Sequence, residues 1–309
     1  MYFQLSAPLF GIVLAGYVLA KWRRWRHAWT ATVTQTVFTF VLPAFLFRLM
    51  SKLQELPPVD ARVLLAFFGS CLLVFLFGYW VAKRFFKRDG VAASVFGLGG
   101  VFSNNVLLGI PLTRMTLGEA AMPAVALVLV FNALLLWTLL SVAVEWSRHG
   151  SFSVQGITRT GVAVSRNPIV LSIVGGAAFG WLGLELPQPV AMMLDGISQL
   201  AGPVSLLVLG MGLANYNLRH GWHESATICA IKLLVQPATV WFLAWLIGLG
   251  AIERSAVVLL ASVAVGANVY LMSAQYETMQ GTIASSIVMS TFLAAFTTPM
   301  FLALMSAVG

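Results

Sequence analysis

Residues 100–111 read GVFSNNVLLGIP. Two adjacent asparagines, a serine, glycines at 99, 100 and 109 and a closing proline stand inside an otherwise apolar run. These residues suit a helix interior poorly. Glycine loosens the backbone, proline removes a donor, and asparagine competes for backbone hydrogen bonds. Their meaning depends on whether the run lies in water or in lipid.

The composition answers for lipid. Of 309 residues, 60% are hydrophobic and 9% charged, against roughly 25% charged in a soluble domain. Mean hydropathy is +0.91. A soluble fold of this length cannot hide so much apolar surface. Ten Trp and 21 Phe suit a lipid-facing exterior with interfacial anchors. The net charge of +8 sits in short clusters between apolar runs, KWRRWRH at 21–27 and KRFFKR at 83–88. That is the pattern of membrane-protein loops, so no nucleic-acid partner is expected. Cys71 and Cys229 lie in separate apolar runs and read as inert. His220 and His223 share a loop, a weak metal signal, and no metal or cofactor is expected. The basic residues follow the apolar run at 5–20 instead of preceding it, which is a first transmembrane helix and not a signal peptide.

A span needs roughly 20 apolar residues. Ten candidates follow, at about 5–21, 30–50, 61–84, 90–115, 119–146, 167–184, 188–214, 224–249, 253–276 and 280–307. The polar, basic stretch 148–166 reads as a cytoplasmic linker between a first half, 1–147, and a second half, 167–309. With the N-terminus outside, twelve of the 18 basic residues fall in inner loops; five, namely Arg48, Lys52, Arg62, Arg114 and Arg254, fall outside; Lys232 falls within a span. The bias predicts both termini on the outer, periplasmic side of a bacterial inner membrane.

Five spans on each side of the linker make the second half inverted relative to the first. Matched features support a repeat. Pro43 in FVLPAFLFRLM of span 2 has a counterpart in Pro203, in LAGPVSLLVLGMG of span 7. Span 4 holds GGVFSNNVLLGIP, and span 9 holds SVAVGANVYLMSA with Gly266 and Asn268. Asn104 and Asn268 each lie about 15 residues, roughly 22 Å, into their spans from opposite faces. The fold class expected is therefore an all-α integral membrane protein of ten helices in two inverted five-helix repeats, with helices 4 and 9 broken where they cross. Gly99, Gly100, Pro111 and Gly266 permit or accompany the breaks. Ser103, Asn104, Asn105 and Asn268 supply donors beside the positive ends of two half-helices, which is an anion site. The alternative is that these asparagines are interhelical packing glue.

The same residues carry a family resemblance. SNNVLLGIP resembles the Ser-Asn-x-Gly-Phe-x-Gly-Ile-Pro segment of the auxin efflux carrier family. GANVYLMSAQY and VMSTFLAAFTTPMFLAL are similar to its ninth and tenth spans, and the stretch from NPIVLSIVGG to VLGMGLA is similar to its sixth and seventh. The resemblance covers essentially the whole chain. It implies ten helices in two inverted repeats with the substrate at the crossing of helices 4 and 9. It also implies a small organic anion as substrate, since bacterial members are described as malonate or malate carriers and plant members export auxin. Two positions depart from the pattern: Val106 stands where the family has glycine, and Ala264 where a proline is frequent.

Ionisable groups inside spans are functional candidates by default. Lys232, in ICAIKLLVQPATVW, is the first: it either meets a substrate carboxylate or snorkels to the surface. Asp195, in MMLDGIS, is a candidate for a coupling proton or cation, a counter-charge to Lys232, or a cap beside Gly196. The leading expectation is a secondary transporter of a mono- or dicarboxylate with H+ or Na+ as candidate coupling ion. A homodimer is compatible with the sequence. No phosphate-binding glycine loop occurs, so ATP coupling within the chain has no support. An intramembrane enzyme would need a nucleophile and base or a metal set inside the spans, and none is seen. A membrane sensor using the same site is the alternative, separable by the absence of net flux.

Overall fold

In the computed structural model, residues 2–22, 32–33, 35–55, 60–149, 166, 168–214 and 221–308 are described. Among them the regular elements are helical: α1 (Tyr2–Trp22), α2 (Leu42–Ser51), α3 (Arg62–Phe85), α4 (Gly90–Gly99), α5 (Ile110–Leu117), α6 (Met122–His149), α7 (Pro168–Trp181), α8 (Gln188–Leu213), α9 (Trp222–Ala230), α10 (Gln236–Leu246), α11 (Ala251–Ser262), α12 (Ala267–Gln275) and α13 (Gln280–Val308). Among the described residues five stretches are long and apolar enough to cross a membrane: Arg62–Phe85, Glu119–Arg148, Gln188–Leu213, Trp222–Leu246 and Gln280–Met305. Shorter apolar helices accompany them, among them Pro8–Lys21, Val37–Ser51, Gly90–Gly99 and Pro168–Trp181. Leu72, Leu76, Trp80, Phe242 and Phe296 are exposed, a surface that only lipid makes favourable. The protein is a multi-pass membrane protein. Most of the expected linker, residues 150–165, and most of the first basic cluster, from Arg23 onward, lie outside the described residues.

Three of the helical stretches widen by one residue at the same distance from a proline. Wide turns with i→i+5 hydrogen bonds occupy Val37–Val41, Asn105–Gly109 and Ile231–Val235. Each ends two residues before a proline, Pro43, Pro111 or Pro237. The cause is steric. A proline ring clashes with the carbonyl four residues back and offers no N–H. Widening the preceding turn moves that carbonyl aside and keeps the other backbone groups bonded. Pro203, by contrast, lies within the uninterrupted α8. Of the two matched prolines, Pro43 follows a wide turn and Pro203 does not; in the second half the proline that follows one is Pro237.

Small residues set the closest helix contacts. A methyl added at Gly16 of α1 would run into the Leu207 carbonyl of α8, and one at Gly210 into the Val13 carbonyl. At the matching contact of α7 on α2, a Cβ at Gly176 would sit 2.6 Å from the Phe47 carbonyl oxygen. In lipid, such contacts are made by dispersion and close backbone approach, since apolar burial between helices offers little. The packing is reciprocal: α1 lies on α8 as α2 lies on α7, and α3 lies on α4 as α10 lies on α11.

Candidate substrate site at the helix crossing

The expected span 4 is interrupted. Helix α4 starts on Asp89, whose carboxylate accepts from the Ala92 N–H at 2.8 Å, and closes at Gly100. The backbone leaves the helix at 101–104 before the wide turn and α5 continue. The expected span 9 is interrupted at the same place in space. Helix α11 ends at Ser262, Val263 is extended, and α12 begins at Ala267 after Gly266.

The two unwound segments pair with each other. Ser103 and Val265 form an isolated antiparallel bridge. The Asn104 N–H donates to the Ala264 carbonyl at 2.9 Å, and the Gly266 N–H donates to the Phe102 carbonyl at 2.8 Å. Away from water every freed backbone group needs a partner, and the two bonds of this bridge pair four of them. Gly266 makes the approach feasible, because a Cβ there would sit 3.0 Å from the Ser103 carbonyl oxygen. Gly100 does the same against Ile231, whose Cγ2 would be 2.7 Å from an added Cβ.

The side chains around this bridge divide sharply. Those serving the second break are bonded. The Ser290 hydroxyl accepts from the Val265 N–H at 3.0 Å, and Thr298 Oγ1 donates to the Ser262 carbonyl at 3.0 Å. Lys232 Nζ donates to the Ala261 carbonyl in the last turn of α11. At the first break, Ser103 Oγ, Asn104 Nδ2 and both side-chain atoms of Asn105 are buried and have no hydrogen-bond partner among the described residues. Leaving buried polar atoms unpaired costs about 1–3 kcal/mol each, so a cluster of them signals a site for something that bonds them. The positive ends of the half-helices beginning near Asn105 and Ala267 face the same crossing.

Next to the crossing is a cavity of about 210 Å³ lined by Phe38, Val106, Leu129, Asn132, Pro168, Ile169, Val170 and Asn268. Its volume falls below the roughly 300–1,000 Å³ of pockets for drug-sized ligands and fits a small molecule. Asn268 lines this cavity, and Asn132 Oδ1 lacks a partner. Asn132 was legible only as one polar residue in an apolar helix, a weak signal. Val106, where the family pattern has glycine, projects into the same cavity lining.

Lys232 and Asp195 are not partners. Lys232 is fully buried and does not reach the surface. Asp195 is half-exposed and held by Arg48, with Nε donating to Oδ1 at 2.7 Å and Nη2 to Oδ2 at 2.9 Å. Reading Asp195 as a counter-charge to Lys232 is therefore corrected: α2 brings Arg48 beside it across a contact that sequence separation hides. Lys52, Arg114, Glu119 and Ser198 line the same polar cavity, and Arg114 donates to the Ser198 carbonyl at 2.8 Å. A second polar cluster joins Arg88 to Glu224 in a bidentate pair at 2.7 and 2.9 Å. That pair holds the Arg88 guanidinium, outside the spans, above its ordinary value. No group of His, Cys, Asp and Glu among the described residues is arranged to hold a metal. Cys71 and Cys229 are buried and free.

An all-helical membrane protein with two mutually bonded unwound segments, flanked by unpaired buried amides, has the build of a transporter. The comparisons agree. The model of the membrane transport protein family, the auxin efflux carrier family, matches residues 2–302, and the chain belongs to that family. It is similar to a protein of Rhizobium meliloti (strain 1021) named "Putative malonate transporter", 28% identical over 299 residues, 95% of this chain and 92% of the relative. It is also similar to an uncharacterised transporter of Methanocaldococcus jannaschii, 22% identical over 285 residues and covering 91% of each chain.

Proposed function

We propose that this protein is a secondary active transporter of a small organic anion, a mono- or dicarboxylate of the malonate class. The substrate binds at the crossing of the interrupted helices, in contact with Ser103, Asn104, Asn105 and Asn268. The observation that carries this reading is the cluster of buried side-chain donors at the first break, unpaired and beside two half-helix N-termini. A carboxylate supplies the acceptors such donors lack, and charge-assisted bonds are the stronger kind. The malonate reading also draws on the Rhizobium relative's name.

The architecture proposed with it is two inverted five-helix repeats, 1–147 and 167–309, joined by a cytoplasmic linker at 148–166. Both termini lie on the periplasmic side of an inner membrane. The reciprocal packing of α1 on α8 with α2 on α7 supports the repeat. The topology is supported by residues assigned to one side meeting each other: Arg48, Arg114 and Asp195 share one cavity, and Arg62 donates to the Ile247 carbonyl at 2.8 Å. Access alternates as one group of helices shifts against another around the crossing.

The test is uptake of labelled malonate into proteoliposomes, with competing mono- and dicarboxylates and imposed proton or sodium gradients. Saturable uptake competed by small dicarboxylates is expected. Binding without flux above protein-free vesicles would make the protein a sensor, and no binding by any small carboxylate would remove the site assignment.

A further inference from the structure

The fully buried Lys232 stands at the other side of the second break from the asparagines. Its Nζ donates to the carbonyl of Ala261 in the last turn of α11. The end of a half-helix presents unpaired carbonyls and a partial negative charge. In carriers with interrupted helices, such carbonyl ends coordinate the coupling cation. Here the amine of a tethered side chain takes that position. Ala261 is three residues before Ala264, whose carbonyl accepts from Asn104, so the amine lies about 10 Å from the crossing along the chain. Ile231, the neighbour of Lys232, packs against Gly100 at the first break.

Little else competes for this charge. The wide turn that carries Lys232 packs against α3, α9, α10, α11 and α13. From α3, Cys71 is the titratable group beside this turn, reached by Gln236 four residues after Lys232; Arg62 lies at one end of α3, and Tyr79, Lys83 and Arg84 toward the other. Its thiol sits in a small polar group in which Gln236 Nε2 is 3.3 Å from Cys71 Sγ and 3.2 Å from Ser70 Oγ. Helix α9 carries Cys229, bonded to the Ser286 carbonyl, and at its far end His223 and Glu224, the latter paired with Arg88. Helix α11 carries Glu253 and Arg254 at its far end, and α10 and α13 carry no titratable side chain. Among the described residues no carboxylate forms an ion pair with Lys232.

We infer that Lys232 is the coupling residue of the carrier: its amine takes up a proton as the carboxylate enters the crossing and gives it back on release. The inference rests on the carrier reading above. The N–H bond forms with a proton from bulk water, and the ammonium and the substrate carboxylate then neutralise each other across the break. On release of the anion the bond breaks and the proton returns to water. An ammonium without a carboxylate is costly to bury, and an arriving anion stabilises it. Linkage is reciprocal, so protonation must strengthen anion binding by the same factor. At about 10 Å and an effective dielectric of about 20 the coupling is on the order of tenfold. Sodium has no role in this scheme, because the Lys232 amine already occupies the carbonyl end where a coupling cation would sit.

The experiment measures malonate binding and dye-reported proton uptake with the purified full-length protein in nanodiscs, from about pH 7 to about pH 10, a range in which carboxylates stay ionised. The wild-type protein should take up protons on binding, and its affinity should fall about tenfold across the range with no effect of sodium. Lys232→Met should bind about tenfold more weakly at about pH 7, with a flat pH profile and no proton uptake. Lys232→Arg keeps the charge at every pH tested and should bind tightly with a flat profile, which separates loss of coupling from loss of fold. A wild-type profile that is flat, or a Lys232→Met profile that still slopes, overturns the inference while leaving the carrier reading intact. Sodium-dependent binding by the wild type overturns it too. Absence of malonate binding by the wild type removes the carrier reading, and the inference with it.

Discussion

The two helix breaks have the same shape and opposite bonding. Around 261–266 the freed backbone is served by Ser290 at Val265, Thr298 at Ser262 and Lys232 at Ala261, each from a neighbouring segment. At 101–104 the side chains of Ser103, Asn104 and Asn105 are buried beside the bridge with unpaired atoms. One break is finished by the protein; under the proposed function the other is left for a ligand. With the two halves read as a repeat, this difference separates structural residues from candidate functional ones better than position does. Asparagine at the crossing has one meaning when its amide is bonded and another when it is not.

That contrast predicts a double dissociation. The largest effect is expected from Asn104→Ala or Asn105→Ala, each weakening malonate affinity roughly 10- to 100-fold. A bond from an amide to a charged acceptor is worth about 1.5–3 kcal/mol. Thermal unfolding of the purified variant should be unchanged or slightly higher, because the removed amides have no partners to lose. A clear drop in melting temperature with unchanged affinity would turn these asparagines into packing residues.

Next in size, Ser290→Ala should lower stability by about 1–3 kcal/mol, since it leaves the buried Val265 N–H without its acceptor. Binding should stay within about threefold of wild type. Thr298→Val keeps the shape and removes the donor to the Ser262 carbonyl. Carbonyls tolerate an unpaired state better than N–H groups, so its cost should be smaller, about 0.5–1.5 kcal/mol. If Ser290→Ala or Thr298→Val proves harmless to stability but damaging to binding, the assignment of the two breaks is reversed.

Much of this was legible in the sequence because lipid enforces simple rules. Apolar runs of fixed length marked the helices, and α3, α6, α8 and α13 fall within a few residues of the expected spans. The breaks were legible because glycine and asparagine are conspicuous in a membrane. The partners of each break were not. Ser290 and Thr298 sit in a helix rich in serine and threonine, where any could bond its own backbone; Ser286 does so to the Thr282 carbonyl at 2.8 Å. Which hydroxyl turns outward depends on helix rotation, and rotation is set by packing. Lys232 was conspicuous, but its acceptor is a backbone carbonyl, which leaves no trace in residue type. Of the three readings of Asp195, the counter-charge to Lys232 named the wrong partner because opposite charges are easy to pair on paper, and Arg48 was counted only as an outer-side charge.

The wide turns before Pro43, Pro111 and Pro237 have a consequence for phase. Each holds one residue more than an α-turn, so everything upstream is rotated by about 100° against the helix that follows. In the first interrupted helix the extra residue lies between Asn105 and Gly109, directly before the stretch that faces α8. The proline is what keeps that residue accommodated. A chain with alanine at 111 has no steric reason to keep the wide turn, and an ordinary turn there would swing Asn104 and Asn105 around the axis, away from the partner segment. The residue that aims the amides of the proposed site is thus not itself among the proposed ligand contacts, and it stands six positions beyond Asn105 and seven beyond Asn104.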